Sequence, residues 1–288
     1  MEKQWNNRSY SIAVIMSCYN RRDYSIRCIN SIMEASKEIP GLSLFFYVWD
    51  DGSTDGTADA LDSLSQDIRV FRGPGNYFWS KSMHFAMKEA GKSDHDLFLM
   101  VNDDACFYKT AFNTLLDDYR HTGGRCGIVG STEFEGMFTY GGHDRKYDAI
   151  LPEGKPVTCR YANWNCFMID RFVLDKIGPI SEKYEHAGGD YDYSARMVRV
   201  GIPMYVASGY VAECECDHKI PQYFNPDKSI SQRFKFFFSP KGEPFYSFFM
   251  FHWVDKRFKG LIIAVISYVK LIFKIIFLKD QKCPEDDQ

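Results

Sequence analysis

The sequence predicts an open α/β fold, a mostly parallel sheet flanked by helices, followed by a helical, aromatic-rich extension. Apolar runs of strand length alternate with helical patterns of about ten to fifteen residues, as expected for parallel strands joined by right-handed crossovers. Two short acidic clusters, Asp50-Asp51-Gly52-Ser53-Thr54-Asp55-Gly56 and Asn102-Asp103-Asp104, each stand at the end of such a run. In an open α/β sheet the carboxyl ends of the strands form the ligand crevice, so the two clusters are expected to converge there. Beyond residue 222 the composition changes to closely spaced aromatics, from Phe234 to Trp253.

The elements follow in order. Ile12 to Cys18 is a mostly apolar run ending at Tyr19-Asn20, and Tyr24, Ile26, Ile29, Ile32 and Met33 continue at helical spacing. Pro40-Gly41 marks a turn, Leu44 to Trp49 reads as a buried strand, and Ala58, Ala60, Leu61 and Leu64 as a short helix. Ile68 to Phe71 predicts a strand, Gly73-Pro74-Gly75-Asn76 a turn, and Ser80 to Ala90 a helix closed by Gly91. Leu97 to Val101 is the next strand, and Phe112, Leu115, Leu116 and Tyr119 mark the helix after it. From Cys126 to about Ile169 the sequence turns Gly-rich and hairpin-like. A helix then opens at Asp190 and stops at Gly201-Ile202-Pro203, with its acidic residues at the positive end of the helix dipole.

At 288 residues the chain has room for one large α/β domain with an appendage. A formal net charge of -3, from 35 basic and 38 acidic residues, gives no global nucleic-acid footprint. Nine cysteines without framework spacing, and no apolar signal-peptide core, suggest a reduced, cytoplasmic protein. Cys214, Cys216 and His218 stand close together, but no second cysteine pair at zinc spacing accompanies them.

Carboxylates gathered in one crevice repel one another, and a divalent cation removes that repulsion while offering a diphosphate something to bind. Two plainer readings compete for the first cluster. Asp51, Ser53, Asp55, Gly56, Thr57, Asp59 and Asp62 fit much of an EF-hand loop, yet a strand-like run precedes them and position twelve is Asp. The same residues could simply turn the chain and cap a helix. A dehydrogenase is disfavoured because no G-x-G-x-x-G follows the first strand.

Ile12 to Asn20, the Asp50-to-Thr57 segment, the Asp-rich triplet, and Gly188-Gly189-Asp190-Tyr191-Asp192 with Arg196 and Gly201 together resemble family 2 of the inverting glycosyltransferases over about residues 10 to 218. The Gly75-to-Met83 stretch, the Asn-first triplet and His186 to Tyr193 are similar to bacterial rhamnosyl-, galactosyl- and galactofuranosyl-transferases of surface polysaccharides. The resemblance implies a GT-A fold, a UDP-, dTDP- or GDP-linked sugar donor, and Mn2+ or Mg2+. It places Ser17, Tyr19, Asp51 and Asp103 at the nucleotide, Asn76, Trp79 and Lys81 near the donor sugar or diphosphate, and Asp104 and His218 at the metal. Asp190 matches the catalytic base, with Gly189 where many members carry Glu, and Trp164 and Asn165 match acceptor contacts. Asp192 is the lesser candidate for the base, a helix-start acid. Asn102 stands where many members have a third acid, which leaves a weaker metal set.

The resemblance divides the chain into a transferase domain over residues 1–220, with a nucleotide part at about 10–105 and an acceptor part at about 106–220, and a C-terminal segment over 221–288. In that segment Gly260 to Leu278 is nearly all apolar, with Lys270 and Lys274 inside the run. Lysines near a bilayer centre cost about 2.5–3.5 kcal/mol each, so a helix lying in the membrane interface is expected over a spanning one. Packing on a second subunit, as a homodimer, is the alternative. Together these readings predict an inverting enzyme at the cytoplasmic membrane face that extends a lipid-linked saccharide, as in O-antigen synthesis. A nucleotidyltransferase and a catalytically silent scaffold with a sugar-nucleotide pocket stay open beside it.

Overall fold

Strand β1 (Tyr10–Cys18) lies at the heart of the fold because it is apolar on both faces and sheet-forming throughout. A computed structural model describes residues 9–215 and 220–277. After β1 come α1 (Arg22–Ser36), β2 (Leu42–Asp50), α2 (Thr57–Asp62), β3 (Ile68–Arg72), α3 (Phe78–Ala90) and β4 (Leu97–Asn102). The second half brings β5 (Cys106–Phe107), α4 (Ala111–His121), β6 (Gly127–Phe134), β7 (Met137–Tyr140), β8 (Gly142–His143) and β9 (Ala149–Ile150). It continues through β10 (Val157–Cys159), β11 (Tyr161–Ala162), β12 (Cys166–Asp170), α5 (Arg171–Ile177), α6 (Gly189–Arg199) and β13 (Met204–Glu213).

The main sheet runs β10-β13-β6-β12-β4-β1-β2-β3, with β5 added to β13 and β7 to β6. Its β3-β2-β1-β4 half is parallel, as the strand and helix alternation predicts. Strand β12 enters antiparallel between β4 and β6, which the sequence pattern does not reveal. Strands β11, β8 and β9 form a separate small antiparallel sheet in the Gly-rich stretch.

Alternation along β1 divides the core in two. Ile12, Val14 and Met16 meet Cys28, Ile29 and Ile32 of α1 and share their cluster with Phe112, Leu115 and Leu116 of α4. Ala13 and Ile15 belong to the opposite cluster, with Met83, Ala86 and Met87 of α3 and Tyr193 and Met197 of α6. Each fully buried Ile, Val or Met contributes roughly 1.5–3 kcal/mol. Helix α5, absent from the sequence expectation, starts where the Asp170 carboxylate accepts the Val173 amide at 2.9 Å.

The chain divides into two compact units, one within Met1–Glu185 and Gly189–Cys216, the other within His186–Gly188 and Asp217–Gln288. In the second, α7 (Ile230–Phe237) opens with a capping box between Ser229 and Gln232. Helix α8 (Phe245–Ile276) is broken at Arg257, where φ is 55° and ψ is -133°. Its two halves fold back on each other: Phe245, Phe248 and Phe249 surround Tyr268 at ring distances of 5.2–5.7 Å. Gly260 permits this close return, since a Cβ there would run into the His252 carbonyl. The later half covers Ala264, Tyr268 and Ile275 but exposes Ile262, Val265, Ile266, Val269 and Phe273 together with Lys270 and Lys274. Among the described residues, no helix is long and apolar enough to cross a membrane.

Candidate active site

Strand register brings the two acidic clusters together. Ser17, near the end of β1, is paired with Trp49 of β2 on one side and Asn102 of β4 on the other. Asp50-Asp51 and Asp103-Asp104 therefore leave the sheet edge on either side of the loop after β1. That loop is tied to its neighbour: Asn20 donates its amide to Ser53 Oγ and accepts from the Thr54 amide, both at 2.8 Å. Tyr19 projects beside it, 52% exposed, with its ring open to a ligand.

Asp51 shapes the next loop. Its buried carboxylate accepts from the amides of Gly75 (3.1 Å), Tyr77 (2.8 Å) and Phe78 (2.9 Å). Gly73 fits there because a Cβ would come within 2.8 Å of Asp51 Oδ1. Asn76 is exposed in this loop, and Lys81 Nζ lies 4.4 Å from the Tyr77 ring centroid.

At the end of β4, Asp103 is buried and Asp104 partly open. Arg21, which the sequence reading left without a role, reaches both: Nη1 lies 3.5 Å from Asp103 Oδ1 and Nη2 3.0 Å from Asp104 Oδ2. Ser25 Oγ stands 3.5 Å from the other Asp103 oxygen, and Cys214 Sγ 3.5 Å from the other Asp104 oxygen. Burial pushes the Asp103 carboxyl up to about 7, with Arg21 opposing the rise and Asp104 adding to it. One guanidinium thus leaves the pair short of positive charge. Two adjacent carboxylates of this kind fit a hard divalent cation, which takes one or two protein carboxylates and completes its shell with substrate phosphates and water. Among the described residues no group of three or more His, Cys, Asp or Glu gathers to hold a metal. His218 and Cys216 lie outside the described residues.

The first turn of α3 links this pair to Asp190. Trp79 Nε1 donates to Asn102 Oδ1 at 2.8 Å, which occupies the asparagine that stands in place of a third acid. The next residue, Ser80, touches Gly189: a Cβ on Gly189 would lie 2.6 Å from Ser80 Oγ and 2.8 Å from Ile180 Cδ1. A side chain at 189 would force Ser80 and Ile180 to shift, so glycine is the residue this packing favours.

Asp190 follows in the first turn of α6, half-buried, with its own Oδ1 accepting the Tyr191 amide at 2.9 Å. Burial raises its carboxyl to about 6, while the Tyr191 amide and the Asn163 side chain pull it back. Asn163 supplies support at this acid, a role not visible in the sequence. Asp192 is committed elsewhere, accepting from Tyr184 Oη at 3.1 Å and Arg196 Nε at 2.9 Å. That is a structural assignment for the lesser candidate.

The expected acceptor contacts lie beneath the surface. Trp164 is 1% exposed, edge-on to Trp79 and Tyr193 at 6.0 and 5.0 Å, and presents no ring face to a sugar. Asn165 is also buried and donates to Cys214 Sγ at 3.4 Å, so it braces the thiol that touches Asp104. An accessible aromatic near Asp190 is Tyr147, 41% exposed, stacked on Tyr161 at 4.7 Å and 6.1 Å from Tyr191. Its position in the loop between β8 and β9 gave it no periodic signal.

These features define an α/β protein with a carboxylate pair at the carboxyl end of its parallel strands and the half-buried Asp190 in the first turn of α6. The chain belongs to glycosyl transferase family 2, whose model matches residues 13–178. It is 31% identical over 98 residues to protein RfbJ of Shigella flexneri, a stretch covering 33% of this chain and 66% of RfbJ. Its fold is similar to the mannosyltransferase PcManGT of Pyrobaculum calidifontis, solved with GDP-Man and Mn2+, at TM-score 0.57 and 13% identity over 92% of this chain and 76% of that one. Residues 1–349 of S. aureus TarS match at TM-score 0.55 and 13% identity, over 92% of this chain and 81% of that one. Against the longer TarS structure this chain spans 54% of the length.

Proposed function

We propose that the chain is an inverting, metal-dependent glycosyltransferase that moves a sugar from a nucleoside-diphosphate donor to a hydroxyl of a lipid-linked saccharide in bacterial surface-polysaccharide synthesis, O-antigen included. The observation that carries this reading is Asp190: a carboxylate raised to about 6, supported by Asn163, and joined through Gly189, Ser80 and Trp79 to the Asn102-Asp103-Asp104 edge. PcManGT, which shares the fold, is solved with GDP-Man and Mn2+, and this supports a nucleotide-sugar donor and a divalent ion here.

In the proposed reaction the ionised Asp190 takes the proton of the acceptor hydroxyl as its oxygen attacks the anomeric carbon. Attack comes from the face opposite the diphosphate. The new glycosidic bond forms as the bond to the diphosphate oxygen breaks, that oxygen keeps the electron pair, and the configuration inverts. Asp104 with Asp103 would hold Mn2+ or Mg2+, which when bound stabilises the charge developing on the departing diphosphate. Tyr19 stacks on the base and Ser17 lies beside the nucleoside. Asp51 fixes the loop carrying Asn76, and Trp79 and Lys81 flank the donor. Tyr147 offers a sugar ring its exposed face, while Trp164 packs edge-on to Trp79 and Asn165 braces Cys214 beside Asp104.

The second unit supports a peripheral site of action at the cytoplasmic membrane face. The exposed apolar face of α8 interleaved with Lys270 and Lys274 suits an interface of acyl chains and anionic headgroups. In this reading residues 1–220 carry the chemistry and 221–288 the attachment.

A thermal-shift screen with UDP-, dTDP- and GDP-sugars, with and without manganese, tests the proposal on the intact chain and on Asp104→Ala. A manganese-dependent rise with one nucleotide class, lost in the variant, is expected. Stabilisation by no donor, or equal stabilisation of the variant, would overturn it.

A further inference from the structure

Arg21 spans the two carboxylates that follow β4. It sits at the junction of β1 and α1, and its fork-shaped head takes one oxygen from each acid, at 3.5 Å on Asp103 and 3.0 Å on Asp104. The second oxygen of each acid is engaged by Ser25 and by Cys214. A cation bridging the pair would therefore contend for the oxygens that the guanidinium holds. Yet Arg21 is not locked in place. Its side chain is 40% exposed, and it rests over the Tyr24 ring at 4.8 Å, a contact that tolerates a swing of the head.

Two positive groups of this size do not share one carboxylate pair without strong repulsion. If a divalent ion enters alone, Arg21 is driven off both acids and must return to water without a counter-ion. A diphosphate arriving with the ion changes the balance, since its oxygens match the planar, bidentate fork of a guanidinium.

Resting on the metal-dependent reading above, we propose that Arg21 is a resident counter-cation: it guards Asp103 and Asp104 in the free protein and transfers to the diphosphate when the metal takes its place. Metal and nucleoside diphosphate are thereby coupled, each raising the affinity of the other by the same factor. Arg21 is a positioning residue in this account. Its effect on the free protein is to weaken binding of metal alone, so the site is loaded by the ion and the nucleotide together.

The test is a manganese titration of the full chain followed by electron paramagnetic resonance of free Mn2+, alone and then with UDP, dTDP or GDP, on wild type, Arg21→Met and Arg21→Lys. Arg21→Met is expected to bind manganese alone about tenfold more tightly than wild type. The same variant should show nucleotide enhancement of manganese binding of less than about threefold, against about tenfold or more in wild type. Arg21→Lys keeps the charge but not the fork and should fall between them, which serves if the methionine variant does not fold. Manganese binding that is unchanged or weaker in a folded variant, or enhancement equal to wild type, would overturn the role of Arg21. Absence of manganese binding to every form, with and without nucleotide, would instead remove the metal reading itself and this proposal with it.

Discussion

Replacing Asp103 with Asn should make the ligand-free protein more stable at neutral pH, although the residue belongs to the candidate site. Its carboxyl is raised from 3.8 to about 7, chiefly by burial. A shift of about three units corresponds to at most about 4 kcal/mol between the charged and neutral forms. Because the folded-state value lies above the unfolded one, the folded protein binds the proton more tightly. Stability is therefore fully present below about pH 4 and is lost as pH rises through about 7. Asparagine keeps the shape and removes the charge, so the variant escapes that loss. Urea unfolding in chelator at about pH 7.5 should show Asp103→Asn more stable by about 2–4 kcal/mol, the lower end allowing for coupling to Arg21 and Asp104. Near pH 4 the two proteins should differ by less than about 1 kcal/mol. A variant less stable than wild type at neutral pH, or a difference that does not change with pH, would refute the argument that an under-compensated buried charge sits at this edge.

Other consequences follow from the same geometry. With Asp190 as base and its carboxyl near about 6, kcat/KM should rise about tenfold per pH unit up to that value and then level; a flat profile from pH about 5 to 8 would count against the assignment. Gly189→Ala places a Cβ 2.6 Å from Ser80 Oγ, so it should cost about 1–3 kcal/mol in unfolding measurements, and adding Ser80→Ala should return part of the loss. Ile262→Glu with Ile266→Glu should weaken co-sedimentation of the full chain with phosphatidylglycerol vesicles by at least about tenfold; unchanged binding would show that the exposed face of α8 serves something else.

The legible parts of this protein are those governed by local pattern. Leu97 to Val101 announces a buried parallel strand because nothing polar interrupts it, and the acids that follow must then emerge at the sheet edge. The direction of β12 was not legible, since an apolar run reads the same either way and only its pairing with β4 and β6 decides. Arg21 carries no such signal: a single basic residue after a strand has no periodicity, and its meaning depends on Asp103 and Asp104 some eighty positions away. Asn163 is hidden for the same reason. Trp164 lies close before the expected base helix, but whether such an aromatic faces a sugar or the core is decided by packing, and here Trp79, Phe167 and Tyr193 enclose it.

The role of Asp190 as base is tested most directly by comparing wild type and Asp190→Asn for donor affinity by calorimetry and for donor turnover, following nucleoside diphosphate release with manganese present. Unchanged donor affinity and turnover lower by about a hundredfold or more are expected, because a positioned base contributes roughly 10²–10⁴ in rate. Wild-type turnover in Asp190→Asn would contradict that role.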